Sequence, residues 1–180
     1  MNRNTKLWIT LLVGMLAATP IHANQQIDEQ LFIVARAGDL VQLEQLLDQG
    51  ANPDTRNSQG YTPLIMAAYY GHIPLMEKLI LRGAQSCAID GKGSNGMMGA
   101  AFRGHLDVIQ WLLENSGCDV NHRNHAGQTT LMMAALFGRE EIIDLLLKHG
   151  ADPGIQDAMG NRAATLAVAQ GQQAVAKKLY

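Results

Sequence analysis

The chain is poor in the residue types that most chemistry needs. Its 180 residues hold two cysteines, Cys87 and Cys118. That is too few for a multi-bridge disulfide framework or a four-cysteine zinc site. Basic residues are also in deficit, with 14 Lys and Arg against 16 Asp and Glu for a formal charge of −2. No cationic stripe stands out, which argues against a nucleic-acid partner. Outside the first 18 residues no apolar run is long enough to span a membrane. No nucleophile motif, Ser/His/Asp set or pair of carboxylates stands in a recognisable catalytic context. These absences exclude most enzyme readings and leave a binding function as the leading class.

What the chain has in quantity is glycine at a fixed step. Gly38, Gly71, Gly104, Gly138 and Gly171 follow one another at intervals of 33 or 34 residues. Gly50, Gly83, Gly117 and Gly150 keep the same step, as do Gly60, Gly93, Gly127 and Gly160. Self-similarity at this period means stacked supersecondary units. Thr62 and Thr129 are suited to cap a helix N-terminus, and Pro63 suits the first helical position. Leu75, Met76, Leu79 and Ile80, and Ile142, Ile143, Leu145 and Leu146, are spaced as the buried face of a second helix. Gly83 and Gly150 then fall where a left-handed C-cap is needed. Asn57, Asp90, Asn124 and Asp157 stand three residues before the third glycine series, where a turn accepts an Asx side chain.

The text between the glycines resembles the ankyrin repeat. Its marks are Thr62-Pro63-Leu64, Ala67-Ala68, Gly71-His72 and Leu79-Ile80-Leu81 before Gly83-Ala84. Thr129-Thr130-Leu131, Ala134-Ala135, Leu145-Leu146-Leu147 and Gly150-Ala151 repeat them, and Ala100-Ala101, Gly104-His105 and Leu112-Leu113 keep part. The resemblance covers residues 27–180 and implies an all-α ankyrin-repeat solenoid of about five helix-turn-helix units with finger-like β-turns. The units fall at about 24–56, 57–89, 90–123, 124–156 and 157–180. Ile27 replaces the first finger glycine and the last unit stops at Tyr180, as in capping repeats.

Residues 1–23 read as a signal peptide. Arg3 and Lys6 precede the apolar run Leu7–Ala18, and Ile21-His22-Ala23 offers a small residue for cleavage. An uncleaved membrane anchor is the alternative. Loss of Arg3 and Lys6 with the leader would take the charge from −2 to −4. Export together with ankyrin repeats points to a bacterial periplasmic protein, with no membrane contact after cleavage. In an oxidising compartment Cys87 and Cys118 can pair. Equivalent positions in neighbouring repeats lie ~10 Å apart, beyond the ~7 Å Cα reach of a disulfide. The three residues from Ala84 to Cys87 would have to close that gap, and two partly buried thiols are the other outcome.

Several motifs invite chemistry and lose to a structural reading. Gly91-Lys92-Gly93-Ser94-Asn95-Gly96 spells GxGxxG without the strand and βαβ context of a dinucleotide site, so no cofactor is expected. His122 and His125 lack further zinc ligands, so no metal is expected. The seven methionines after residue 23 fit packing better than copper binding or oxidant scavenging. Asn95-Gly96-Met97-Met98-Gly99 departs from the Thr-Pro-Leu helix start, and Gly99 inside a helix costs about 0.5–1 kcal/mol relative to Ala. This helix is the expected soft spot.

The resemblance places the partner-binding face on the finger tips and the exposed side of each first helix. The candidates are Tyr61, Tyr69, Tyr70, Lys92, Phe102, Arg103, His125, Leu136 and Phe137. Five of the eight aromatic residues after Ala23 are among them. Tyr and Arg are enriched where interface energy concentrates. The expected function is a non-catalytic, monomeric periplasmic module that binds a protein partner. Its biological role would be immunity against a periplasm-targeted toxin enzyme, or an accessory part in peroxide defence. One outcome follows directly: N-terminal sequencing of the exported protein should start at or near Asn24. A start at Met1, or a cytoplasmic location, would overturn the signal-peptide reading.

Overall fold

Helix pairs and glycine-containing fingers alternate along the chain. The computed structural model describes residues 20–180, with side chains from residue 26 onward. Of the expected signal peptide at 1–23, residues 1–19 lie outside the described residues. Ten helices form among those described: α1 (Pro20–Ala37), α2 (Leu40–Asp48), α3 (Pro63–Tyr70), α4 (Ile73–Leu81), α5 (Gly96–Arg103), α6 (Leu106–Asn115), α7 (Thr130–Leu136), α8 (Glu140–Lys148), α9 (Ala163–Ala169) and α10 (Gln173–Lys178). The odd-numbered helices stack as an inner row and the even-numbered ones as an outer row. The fold is an all-α solenoid, as the repeat implies. The expected cleavage junction after Ala23 falls inside α1, which runs unbroken through the place of a first finger.

Capping explains where the inner helices start. The Thr62 and Thr129 hydroxyls accept the backbone N–H of Ile65 and Met132. Asn95 does the same for α5, its Oδ1 accepting from Met98 N at 3.1 Å. The atypical third unit therefore has a full cap and forms its helix despite Gly96 and Gly99. In the last unit Arg162 stands at the cap, and the Thr165 hydroxyl takes its backbone N–H at 2.8 Å.

One joint recurs between units. Gly71 follows α3 at φ 85°, a conformation that a Cβ would strain. A Cβ there would also lie 3.0 Å from the His105 ring of the next unit. That ring needs the space, because its Nε2 meets the Tyr69 carbonyl at 3.2 Å. His72 reaches the Arg36 carbonyl in the same way, also at 3.2 Å. Arg139 donates to the Phe102 carbonyl at 3.3 Å, and Gln172 to that of Leu136 at 3.5 Å. A carbonyl only accepts, so each imidazole must carry its proton on Nε2. The joint satisfies inner-helix carbonyls that lack an intrahelical partner.

The fingers are tied in the same stepwise manner. Asn57, Asp90, Asn124 and Asp157 each accept two backbone N–H bonds on Oδ1, closing the turns. Burial pushes the Asp157 carboxyl up, but bonds from Asn161 and Met159 outweigh it and hold it below the usual carboxylate range. Each finger donates one backbone bond to the finger before: Gly91 to Gln59, His125 to Lys92 and Ala158 to Ala126, all at 2.9 Å.

The core runs the length of the stack. Ala35, Ala68, Ala101 and Ala135 are fully buried between inner helices, where a larger side chain would hold the backbones apart. Leu43, Met76, Ile109 and Ile143 fill the layer beneath the outer helices, also without exposure. On the outer surface Lys78 pairs with Glu44, Arg82 with Asp48 at 2.7 Å, and Lys178 with Asp144 at 2.7 Å. The Trp111 indole donates to Glu77 at 3.1 Å. Exposed pairs of this kind contribute little individually and are screened by salt.

Cys87 and Cys118 are disulfide-bonded, with Cα atoms 5.5 Å apart. The chain after Ala84 turns toward the next unit, where the Ser86 hydroxyl donates to the Ser116 carbonyl at 3.0 Å. That local excursion closes the gap left by repeat spacing. The bridge joins residues 31 apart in sequence and should stabilise by about 2–4 kcal/mol.

Leu112 and Leu146 are 2% and 0% exposed. Replacing either by Ala should cost about 2–5 kcal/mol in denaturant unfolding. Losses below about half a kcal/mol at both would contradict this packing.

Candidate protein-binding surface

The inner helices and the fingers enclose a groove of about 560 Å³. Arg36 from α1, Met66, Tyr69 and Tyr70 from α3, and Met98, Gly99 and Phe102 from α5 form its helical wall. Met133 from α7 closes one end, and Asn57, Gln59, Tyr61, Asp90, Lys92 and Ser94 from two fingers form the opposite wall.

A continuous aromatic row crosses three units. Tyr70 meets Tyr69 edge-on at 5.1 Å, and Tyr69 stacks on Phe102 at 5.9 Å. Phe102 then meets Phe137 edge-on at 4.6 Å. Tyr69 and Phe102 share one repeat position and Tyr70 and Phe137 the adjacent one, so stacking the helices brings the two sets of rings together. Two guanidiniums cover it: Arg36 lies 5.5 Å from the Tyr70 ring centre and Arg103 5.3 Å from that of Tyr69. Phe102 and Phe137 are 39% and 38% exposed. The rings therefore pack on one another and still present a face to solvent.

Tyr61 is half-buried on the finger wall. Burial, then the Asp90 carboxylate, then Tyr69 push its phenol above the ordinary value of 10.0. All three favour the neutral ring, so Tyr61 offers a hydrogen-bonding hydroxyl at physiological pH.

The structure brings Tyr61, Tyr69, Tyr70, Lys92 and Phe102 to one groove and sets Arg103 and Phe137 on its aromatic row. His125 stays outside, exposed on the finger ridge with its backbone N–H on Lys92. Leu136 is half-buried and does not line the groove. Sequence reasoning missed Arg36, Met66, Gly99 and Met133. The repeat register could have found them. Ile33, Met66, Gly99, Met133 and Leu166 are one position in five units, and Arg36 is the equivalent of Tyr69.

The other motifs resolve into structure. Gly91 and Gly93 lie in a finger, and Gly96 opens α5 with no strand before it. His122 Nε2 bonds the Gly93 carbonyl at 2.8 Å. Met76, Met97, Met98 and Met132 are buried in the core, whereas Met159 is 84% exposed. Among the described residues no group of three or more His, Cys, Asp or Glu side chains is placed to hold a metal ion. Nor is any described helix long and apolar enough to cross a membrane.

Comparison with known proteins agrees with this geometry. A family model described as ankyrin repeats, in three copies, matches residues 31–124 and 97–180. The chain belongs to the ankyrin-repeat family. It is 33% identical over 76 residues to the putative ankyrin repeat protein YahD of Escherichia coli K12, covering 39% of this chain and 38% of that one. It is 41% identical over 54 residues to transient receptor potential cation channel subfamily V member 5 of Mus musculus, covering 30% of this chain and 8% of the channel. The subfamily V member 6 channel of Rattus norvegicus matches at 39% over 54 residues, with 30% and 7% covered. The chain thus spans well under half of each of these relatives.

Tyr61 provides a check on the groove. Its phenol should titrate above the ordinary tyrosine range, read as the phenolate absorbance lost in Tyr61→Phe. Asp90→Asn keeps the turn acceptor, as Asn57 and Asn124 do, and should lower that pKa only in part, because burial is the larger cause. Titration at or below the ordinary value would mean the ring is solvated.

Proposed function

We propose that this chain is a non-catalytic, periplasmic protein-binding module that works as a monomer and holds its partner in the groove between fingers and inner helices. Ankyrin repeats are in general protein–protein interaction modules, and the observation that carries the reading here is the aromatic row. Tyr69, Tyr70, Phe102 and Phe137 form one connected, part-exposed surface capped by two arginines. Rigid aromatics with adjacent guanidiniums lose little entropy on docking and desolvate readily. The Cys87–Cys118 bridge supports export, since disulfides persist in oxidising compartments. The signal-peptide reading of residues 1–23 points the same way. No constellation of nucleophile, base and oxyanion donors lines the groove, which favours binding over catalysis. With acidic residues in excess, a nucleic acid is a poor partner.

Crosslinking in intact periplasm should recover the partner, and titration calorimetry should then locate the interface. Tyr70→Ala and Arg103→Ala should each weaken the complex by roughly 1–3 kcal/mol. Lys78→Ala and Lys148→Ala, on the outer helices, should leave affinity nearly unchanged. Loss of binding in the lysine variants with retention in the other two would place the interface on the opposite face.

A further inference from the structure

We infer that the groove receives an extended acidic segment of a partner protein, with an apolar side chain of that segment seated in the notch at Gly99. This rests on the binding reading above and specifies what the partner must carry.

Charge is segregated between the two helix rows. The inner helices α3, α5, α7 and α9 contain no acidic residue, and in α1 Asp28 and Glu29 lie two turns before Arg36, Asp28 accepting the Asn52 backbone N–H, whereas α2, α4, α6 and α8 hold eight of the chain's 16. Among the described residues every ion pair lies between outer helices, at Glu44–Lys78, Asp48–Arg82 and the Lys178 pair with Glu140 and Asp144. Arg36, Lys92 and Arg103, all exposed, have no carboxylate partner there. Asp90 is the one acid lining the groove, and it is 8% exposed with Oδ1 turned to the backbone N–H groups of Lys92 and Ser94. A chain with net negative charge thus presents a locally cationic groove. Carboxylates on a partner would complement these three unpaired cations.

Gly99 makes the groove deep. At this position the neighbouring units carry Met66 and Met133, both at the groove. A Cβ on Gly99 would meet Tyr69 Cδ2 at 3.5 Å and Tyr69 Cβ at 3.7 Å, ordinary contact distances. Neither packing nor backbone conformation demands glycine here, and helix propensity opposes it. The fold would accept alanine; the notch would not survive it. The notch is walled by Tyr69, Phe102 and the two methionines. Such an apolar pocket suits an aliphatic or aromatic side chain. The aromatic row crosses three units at ~10 Å per helix. An extended strand at ~3.3 Å per residue covers that span with about six residues, so the occupant is a segment rather than a small anion.

The test uses protein purified after expression of the full chain, and phage-displayed random peptides as the probe. Selected sequences should pair Asp or Glu with a large apolar residue. A synthetic peptide of the consensus, followed by fluorescence anisotropy, should bind more weakly as salt rises. Gly99→Ala should raise the melting temperature and weaken the peptide by about tenfold or more, the scale set by one methyl in an apolar pocket. The double variant Arg36→Gln/Arg103→Gln should weaken it by about tenfold and flatten the salt dependence. Peptides that depend on Tyr70 but show no acidic bias, or that bind Gly99→Ala as well as the unaltered protein, overturn this inference and leave the groove reading standing. Peptides indifferent to Tyr70→Ala as well, or no enrichment at all, overturn both.

Discussion

The hydrogen bond from one repeat back to the carbonyl end of the previous inner helix sets the geometry of the whole stack. It needs two residues at once. Glycine must turn the chain with a positive φ and leave room, and the side chain after the following glycine must fill that room. His72, His105, Arg139 and Gln172 all do this, with different chemistry at nearly the same distance. The constraint is therefore reach and a donor rather than imidazole itself. Helix-end carbonyls at these joints would otherwise need water in a partly buried seam, so losing the bond costs more than the bond alone contributes.

The groove is a by-product of that joint used to advantage. Because each unit sits at the same offset from the last, any position repeated at the 33-residue step becomes a row in space. Ala35, Ala68, Ala101 and Ala135 become a dry seam. Glu44–Lys78, Asp48–Arg82 and Asp144–Lys178 become an outer charge ladder with a step of 34 residues. Tyr69 and Phe102, one step apart, join Phe137 from the adjacent position in a connected aromatic surface. In the proposed reading, function enters where the repetition is broken. Gly99 interrupts a row of Met and other apolar side chains and opens depth, and Asn95 supplies the helix cap that lets the third unit bear two extra glycines.

Much of this was legible in the residues. The Asx positions and the Thr caps were readable because they bond backbone N–H groups two to four residues away, Pro63 because its fixed φ suits a helix start, and the buried leucines because their spacing marks one helix face. The aromatic candidates were readable because the repeat register turns sequence spacing into spatial rows. His125 and Leu136 shared that register and still lie outside the groove, since register says which unit and height a residue occupies and says less about which way its side chain leans. Arg36 went unnoticed because an arginine at a tyrosine position looks like a break in the pattern until the guanidinium is seen over the next unit's ring.

The sequence by itself determined the unit, the period and the two faces of each helix, because turn chemistry and apolar spacing are local properties. Only the tertiary structure decided the disulfide and the depth of the groove. Cys87 and Cys118 stand at non-equivalent repeat positions, and nothing in their spacing told whether the chain after Ala84 bends toward or away from the next unit. Gly99 is likewise ambiguous as a letter: in one helix it is a destabilising residue, and between Met66 and Met133 it is an opening. Both outcomes depend on distances between units, which packing sets and which no single stretch of sequence contains.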